Sequence, residues 1–152
     1  MASRALVKVA KPPEYVVSVY RRVLAESYHP VILHWLGVMF DPALRGYWGA
    51  DHFAQTMETA LRVIGDNISK VDGIKVSLLD DQKEVVMRRR LPVPVKMYTG
   101  DDFNYPNLIA GDDRGHSHAL LGIFAAIGPA RSAALAPFAK RNLNNSNAWL
   151  HP

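Results

Sequence analysis

The 152-residue sequence predicts an α/β protein built around a parallel sheet. Two observations predict this class: short apolar runs rich in β-branched residues recur along the chain, and stretches with helical periodicity separate them. Strands that alternate with helices form βαβ units, whose strands are parallel. The apolar runs are nearly continuous, which is typical of strands covered on both faces. An open sheet of four or five strands, as in flavodoxin-like folds, is an alternative, although no glycine-rich phosphate loop follows the early strands.

Four strands are predicted. The first is introduced by a proline, the third follows Pro92 and Pro94 and is stopped by Gly100, and the fourth is the least distinct because alanine and leucine also suit helices. The predicted strands are 30–36, 71–78, 95–99 and 119–124.

Apolar residues spaced by three or four predict the intervening helices, clearest in the series from Phe53 to Ile68. Asp51 is placed to cap that helix or oppose its dipole, and Asp80 and Asp81 open the next one. The segment before residue 10 is apolar and strand-like. The predicted helices are 14–27, 51–69, from Asp80 to the arginines at 88–90, and 129–139.

Composition narrows the classes of function. The chain has no cysteine, which excludes a disulfide scaffold, a thiolate zinc site and a cysteine nucleophile. The net charge is +4, but its one tight basic cluster, residues 88–90, is explained by the negative end of a helix dipole. Nucleic-acid binding is therefore the weaker alternative. No apolar run is long enough to span a bilayer or to form a secretory signal, so we expect a cytoplasmic protein without membrane contact.

Lys75 is the candidate catalytic residue that the pattern singles out. It lies inside an apolar strand, where an ammonium group is costly to bury unless its pKa falls or it finds a partner. A desolvated lysine can be a neutral amine near neutral pH and can attack a carbonyl carbon. The alternative is a structural lysine whose side chain reaches outward to water.

Further candidates lie toward the ends of the strands. His34, in the preceding strand, is a candidate proton relay, although a lone strand histidine is more often structural. The turn after the third strand offers a phenol, a hydroxyl and two carboxylates where barrel enzymes collect site residues. Aspartates there can instead cap a following short helix. The candidate substrate contacts are Ser77, Tyr98, Thr99, Gly100, Asp101 and Asp102.

A metal site is not expected. His116 and His118 are two residues apart, so in a strand they would share a face and could bind a metal. No carboxylate that would converge on them is identifiable. We therefore expect no metal, and we expect no other cofactor because an imine on the lysine would itself supply the electrophilic centre.

Three motifs in order resemble the dihydrodipicolinate synthase and N-acetylneuraminate lyase superfamily. They are the strand 30–36, the Gly-Ile-Lys segment that ends at Lys75, and the Thr-Gly-Asp-Asp turn at 99–102. The closer match is to an uncharacterised bacterial branch of dihydrodipicolinate synthase-like proteins and extends from His34 to about Pro129.

The resemblance implies a parallel (β/α) barrel of the TIM type, of which this chain aligns with about the last four or five strands. A full barrel needs about 250 residues. We therefore expect a partial barrel over residues 1–140, truncated or split, followed by an irregular tail over 141–152. An incomplete barrel exposes sheet edges and apolar surface, so we also expect a homo-oligomer.

The resemblance also implies the chemistry. Lys75 corresponds to the lysine that forms an imine with a 2-oxo acid or aldehyde in class I aldolase-like lyases and synthases. His34 stands where the larger family has its proton-relay tyrosine, and residues 38–40 stand where it has an arginine for the substrate carboxylate. The expected partner is a small carbonyl compound. The alternative is a non-catalytic half-barrel that needs a complementing half or self-association to fold, so activity itself stays open.

Overall fold

The computed structural model describes residues 4–9 and 12–122 of the chain. The described residues up to Leu121 belong to one compact unit. The predicted boundary between residues 140 and 141 lies outside the described residues. Two short 3-10 helices, Pro42–Leu44 and Ile68–Lys70, accompany the main elements. The main elements in chain order are α1 (Arg4–Val9), α2 (Pro13–Ala25), β1 (Val31–Leu36), α3 (Phe53–Asp66), β2 (Val71–Ser77), α4 (Asp81–Arg88), β3 (Lys96–Thr99), α5 (Tyr105–Ala110) and β4 (Ala119–Leu120).

The four strands form one parallel sheet in the order β1-β2-β3-β4. Each strand therefore lies beside its neighbour in the chain, and α3, α4 and α5 connect them in turn. Right-handed crossovers that always step in the same direction put their helices on the same face of the sheet. A doubly wound sheet would reverse its strand order at a switch point. The described strands show no reversal, and the predicted α/β class with a parallel sheet is confirmed.

The register sorts the side chains into two faces. Leu33, Ile74 and Met97 are paired across the sheet and buried, and so are the next inward-facing positions along the strands. His34 and Tyr98 are paired with Lys75, and all three are only partly buried. We call the face that carries Lys75 the open face. The expectation of strands covered on both faces is therefore wrong for the described residues, because helices bury one face only.

An aromatic cluster fills the core between β1 and the first helices. Trp48 is 0% exposed and stacks on Tyr20, with ring centroids 5.3 Å apart. Trp35, which points from β1 toward the helices, lies 5.9 Å from Trp48. The hydroxyls of Tyr20 and Tyr47 share a hydrogen bond of 2.7 Å, so the buried polar atoms of these two rings satisfy each other.

Local chemistry sets the ends of the helices. His52 rather than Asp51 is the N-cap of α3, and it makes no side-chain capping bond, so the prediction that Asp51 caps this helix is wrong. Asp80 does cap α4, because its Oδ1 accepts a hydrogen bond of 3.0 Å from the Lys83 amide. The prediction of a strand-like segment at the start of the chain is also wrong, since Arg4–Val9 is helical. A short apolar run carries too little periodicity to separate strand from helix.

The third and fourth strands are shorter than predicted. β3 begins at Lys96, and β4 covers Ala119–Leu120, whereas the prediction extended to residue 124. Residues 123 and 124 and the predicted helix 129–139 lie outside the described residues. No helix of the described ranges has the length and apolar character that crossing a membrane requires.

Replacing the most buried aromatic ring tests this core. We expect Trp48→Ala to lower the free energy of unfolding by about 3–5 kcal/mol, because it removes apolar contacts and leaves a cavity. Denaturant titration followed by circular dichroism measures the loss. Tyr28→Ala is the matched control, since Tyr28 is 98% exposed and its removal should change stability by less than about 0.5 kcal/mol. Equal losses for the two variants would contradict this description of the core.

Candidate functional site

Lys75 stands at the centre of the open face. It belongs to β2, and its Cα partners are His34 in β1 and Tyr98 in β3. Among the described residues no carboxylate lies within ion-pair distance of its ammonium group. Burial lowers the pKa of Lys75, and the negative charge of Asp102 opposes that shift. A lowered pKa increases the fraction of neutral, nucleophilic amine.

His34 is positioned as a neutral base beside Lys75. Its Nε2 lies 3.0 Å from the Oγ of Ser77, which is buried at the end of β2. Burial first, and the positive charge of Lys75 second, lower the pKa of His34 to about 4. The imidazole is therefore uncharged near neutral pH and is a weaker proton acceptor than an ordinary histidine.

Gly100 packs directly beneath the lysine side chain. A Cβ at this position would lie 2.1 Å from the Oγ of Ser77 and 2.7 Å from the Cε of Lys75. The amide of Gly100 also donates a hydrogen bond of 2.7 Å to the carbonyl of Val76, which fixes the turn against β2. A side chain here would push Lys75 and Ser77 out of place, so the glycine of the predicted turn shapes the space around Lys75.

Tyr98 shares the open face with Lys75, but its hydroxyl is already engaged. It donates a hydrogen bond of 2.6 Å to Asp72, and Lys96 forms an ion pair of 2.8 Å with the other oxygen of the same carboxylate. Asp72 has no partner in β1, because the register there passes from Val71 to Gly73. Burial, and then the bond to Asp72, raise the pKa of Tyr98.

The remaining turn residues separate into two groups. Thr99 is 0% exposed and lies on the helix-covered face, opposite Lys75. Asp101 is also buried, and its Oδ1 accepts hydrogen bonds of 2.9 Å from the amides of Phe103 and Asn104 in the turn. The N-cap of α5 is Asn104, without a side-chain capping bond, so the alternative that these aspartates cap the helix is wrong. Asp102 acts electrostatically on Lys75, and its buried Oδ1 has no hydrogen-bond partner among the described residues. The structure thus groups Lys75 with His34, Ser77, Gly100 and Asp102.

Sequence reasoning missed a buried acid beneath this turn. Glu84, in α4, is 1% exposed, and its Oε1 accepts a hydrogen bond of 2.7 Å from the Oγ of Ser117. Burial raises the pKa of Glu84 to about 7, against the hydrogen bonds from Ser117 and Thr99 that lower it. One signal in the sequence could have found it: Glu84 precedes the buried Met87 by three residues, so the two share a helical face.

The basic run at the end of α4 is held in ion pairs. Arg88 and Arg89 both bind Asp112, at 3.1 and 2.9 Å, and Arg90 binds Glu58. All three arginines of the cluster therefore have a carboxylate partner within the protein.

The two candidate metal-binding histidines lie close together. The rings of His116 and His118 are 5.1 Å apart. No group of three or more residues able to hold a metal ion is found in the part of the chain that the structure describes.

Comparison with known proteins identifies the family. A family model described as "Protein of unknown function (DUF993)" matches residues 1–152. The chain belongs to this family. No curated protein matches it. The dihydrodipicolinate synthase resemblance of this DUF993 member therefore stays a prediction, as do the roles of its site residues.

The buried Glu84 predicts a specific pH dependence of stability. The pKa of this carboxyl group is raised from 4.5 to about 7 on folding, so its protonated form stabilises the folded protein. That contribution to the free energy of unfolding is complete below pH 4.5 and is lost as the pH rises to 7. Glu84→Gln removes this titration. The free energy of unfolding of the variant, relative to that of the wild-type protein, should therefore rise by about 3 kcal/mol between pH 4.5 and pH 8. Chemical denaturation at several pH values measures the difference.

The control for this prediction is Glu58→Gln, which removes a fully exposed carboxylate paired with Arg90. Hydrogen bonding to Arg90 lowers the pKa of Glu58, so this variant should show no gain over the same interval. If the difference in free energy of unfolding between Glu84→Gln and the wild-type protein does not change with pH, the pKa of Glu84 is not raised by folding.

Proposed function

We propose that this DUF993 chain carries the imine-forming site of a class I aldolase-like carbon–carbon lyase or synthase, with Lys75 as the nucleophile. One observation carries the proposal: a partly buried lysine with a lowered pKa, without an ion-pair partner among the described residues, beside the neutral imidazole of His34. A lysine that serves only to solvate a surface needs neither the burial nor such a neighbour. Perturbed titratable groups of this kind cluster at functional sites.

The proposed chemistry starts from the fraction of Lys75 that is a neutral amine, which the lowered pKa increases. Lys75 Nζ attacks the carbonyl carbon of a 2-oxo acid or aldehyde, and loss of water leaves a protonated imine. The bond between the first and second carbons beyond the imine carbon then breaks: the hydroxyl on the second carbon loses its proton and becomes a carbonyl, and the electron pair passes to the imine to form an enamine. Protonation of the enamine carbon restores an imine, and its hydrolysis releases the second carbonyl compound and returns the amine. His34 would carry protons to and from the reacting oxygen and carbon. Ser77 orients His34 through the 3.0 Å contact.

The arrangement of the sheet supports a barrel as the setting for this chemistry. Sequential parallel strands with helices on one face are the repeating pattern of a (β/α) barrel, whose inward-pointing residues near the strand ends form the site. The open face of the described sheet carries the polar residues that such an interior site would need. We propose a partial barrel of the TIM type on this basis, related to the dihydrodipicolinate synthase superfamily.

The non-catalytic half-barrel remains the second candidate, favoured by a different observation. Among the described strands β1 pairs on one side only, with β2. An apolar groove of about 730 Å³, lined by α1, α2 and β1, runs beside this strand. Unpaired strand edges next to apolar surface favour association. The two candidates differ in what they require of Lys75, since only the enzyme needs a nucleophilic amine.

Imine trapping tests the proposed function. We expect incubation with a panel of 2-oxo acids and aldehydes, followed by borohydride reduction, to give a stable adduct that peptide mass mapping places on Lys75. Lys75→Met should abolish it. Lys96→Met is the matched control, because it removes an ammonium group from the same face whose pKa is raised by Asp72, and the adduct on Lys75 should persist. If the folded wild-type protein forms no adduct, the proposed lyase function is wrong and the non-catalytic half-barrel is the remaining candidate.

A second variant tests the packing beneath the lysine. Gly100→Ala places a methyl group within 2.7 Å of the Lys75 Cε and 2.1 Å of the Ser77 Oγ, so both side chains must shift. We expect the rate of imine trapping to fall at least about tenfold, as misplacement of reacting groups by an ångström typically costs more than this. Gly65→Ala in α3 is the control, since its added methyl meets no atom within 4 Å. Equal trapping rates for the two variants would exclude this role of Gly100.

A further inference from the structure

We infer that Glu84 is a positioning residue for the Lys75 site, which it reaches through Thr99 and the turn at Gly100. The inference rests on the proposed function of Lys75 and deepens it. Glu84 lies in α4, on the helix-covered side of the sheet, and does not touch the open face. It therefore acts on Lys75 through other residues, by polar contacts with Thr99 and Ser117 and by the close packing of Gly100 against Lys75.

The first connection runs from the helix to the turn. The hydroxyl of Thr99 hydrogen-bonds the Glu84 carboxyl group, and the same hydroxyl oxygen accepts a hydrogen bond of 3.1 Å from the amide of Asp101. The hydroxyl can do both because it offers one donor and two acceptor lone pairs. Glu84 thus fixes the hydroxyl rotor that holds the residue directly after Gly100.

The second connection ties the same carboxyl group to the next strand. Ser117, which is 0% exposed and precedes β4, donates its hydroxyl to Glu84 Oε1 at 2.7 Å. The Ser117 amide donates a hydrogen bond of 2.8 Å to Leu108 in α5. One buried carboxyl group therefore joins α4, the end of β3 and the segment before β4, which leaves the turn little freedom to move.

The last link crosses the sheet. Gly100 follows Thr99 in the chain, and its backbone is in close contact with the Lys75 Cε and the Ser77 Oγ. A shift of the turn of a few tenths of an ångström would change the room available to both side chains. Ser77 in turn contacts His34, so the position of the turn affects the proposed nucleophile and its proton relay together.

The electrostatics of Glu84 give this role a measurable signature. Burial raises its pKa to about 7, the nearby Asp101 carboxylate adds to that shift, and the hydrogen bonds from Ser117 and Thr99 and the positive charge of Arg88 oppose it without cancelling it. Below pH 7 the neutral carboxyl group holds the hydroxyls of Thr99 and Ser117. Above pH 7 a second buried negative charge forms beside Asp101, and the repulsion works against the turn. Glu84→Gln keeps the shape and stays neutral at every pH.

The experiment measures two rates at Lys75 in the full chain, each resolved by peptide mass mapping. The first is imine trapping with a carbonyl compound that traps the wild-type protein. The second is acylation by acetic anhydride, which reports the pKa and accessibility of the amine without any substrate. The variants are Glu84→Ala, Glu84→Gln and Thr99→Val, and the control is the exposed Glu58→Gln.

At pH 6 we expect Glu84→Ala and Thr99→Val to slow trapping at Lys75 at least tenfold, with Glu84→Gln and Glu58→Gln within threefold of the wild-type rate. Between pH 6 and pH 8 the ratio of the Glu84→Gln rate to the wild-type rate should rise. A residue that only stabilises the fold would leave this ratio unchanged. The rate of Lys75 acylation should differ from the wild-type rate in Glu84→Ala and Thr99→Val, and it should equal the wild-type rate in Glu58→Gln.

Wild-type rates in both Thr99→Val and a folded Glu84→Ala would overturn the inference, as would a ratio that stays flat between pH 6 and pH 8. If Glu84→Ala does not fold, Thr99→Val decides. If no carbonyl compound traps the wild-type protein, the proposed lyase function fails, and acylation then decides alone. Altered acylation of Lys75 in Thr99→Val would still support the positioning role, and unaltered acylation would reject it.

Discussion

Side chains along a β-strand point alternately to opposite faces, and in this sheet helices cover one of the two faces. That period of two decides the environment of every strand residue at the site. Positions in one phase, such as Ile74 and Val76, are buried beneath α2, α3 and α4. Positions in the other phase carry His34 and Lys75, partly buried but not enclosed. A shift of one residue in register would bury the lysine among apolar side chains, so the same apolar packing that stabilises the sheet also presents the amine.

The turn after β3 is where the two faces influence each other. Thr99 points toward the helices and Gly100 lies against the lysine, so consecutive residues connect a buried carboxyl group on one side to the amine on the other. The charges on the open face are also separated along the strands. Asp72 neutralises Lys96 and engages the hydroxyl of Tyr98, whereas Lys75, among the residues that the structure describes, feels a carboxylate only through the longer-range influence of Asp102. Two lysines on one face therefore have pKa values shifted in opposite directions.

Much of this arrangement could be predicted from local patterns, and the failures have physical reasons. The strands around Lys75 were found because their apolar runs are bounded by proline and glycine, and their order along the chain implied parallel pairing. The helix Arg4–Val9 was mistaken for a strand because six residues show too little periodicity. The carboxyl of Glu84 was missed because its partner Ser117 is 33 residues away, and no local pattern encodes that contact. The face of the sheet on which Thr99 lies, by contrast, is predictable from the sequence. Met97 is apolar and precedes Thr99 by two residues, so the two side chains point to the same, buried face.

The proposed reaction depends on the ionisation of one amine, which a titration of the lysine side chains by nuclear magnetic resonance measures directly. Lys75→Arg and Lys96→Arg assign the two resonances in the full chain. The structure predicts a midpoint for Lys75 below the ordinary value of 10.5 and a midpoint for Lys96 above it, because burial acts on the first and Asp72 on the second. A Lys75 midpoint at or above 10.5 would mean that the amine is not desolvated on the open face, and the proposed nucleophile would lose its physical basis.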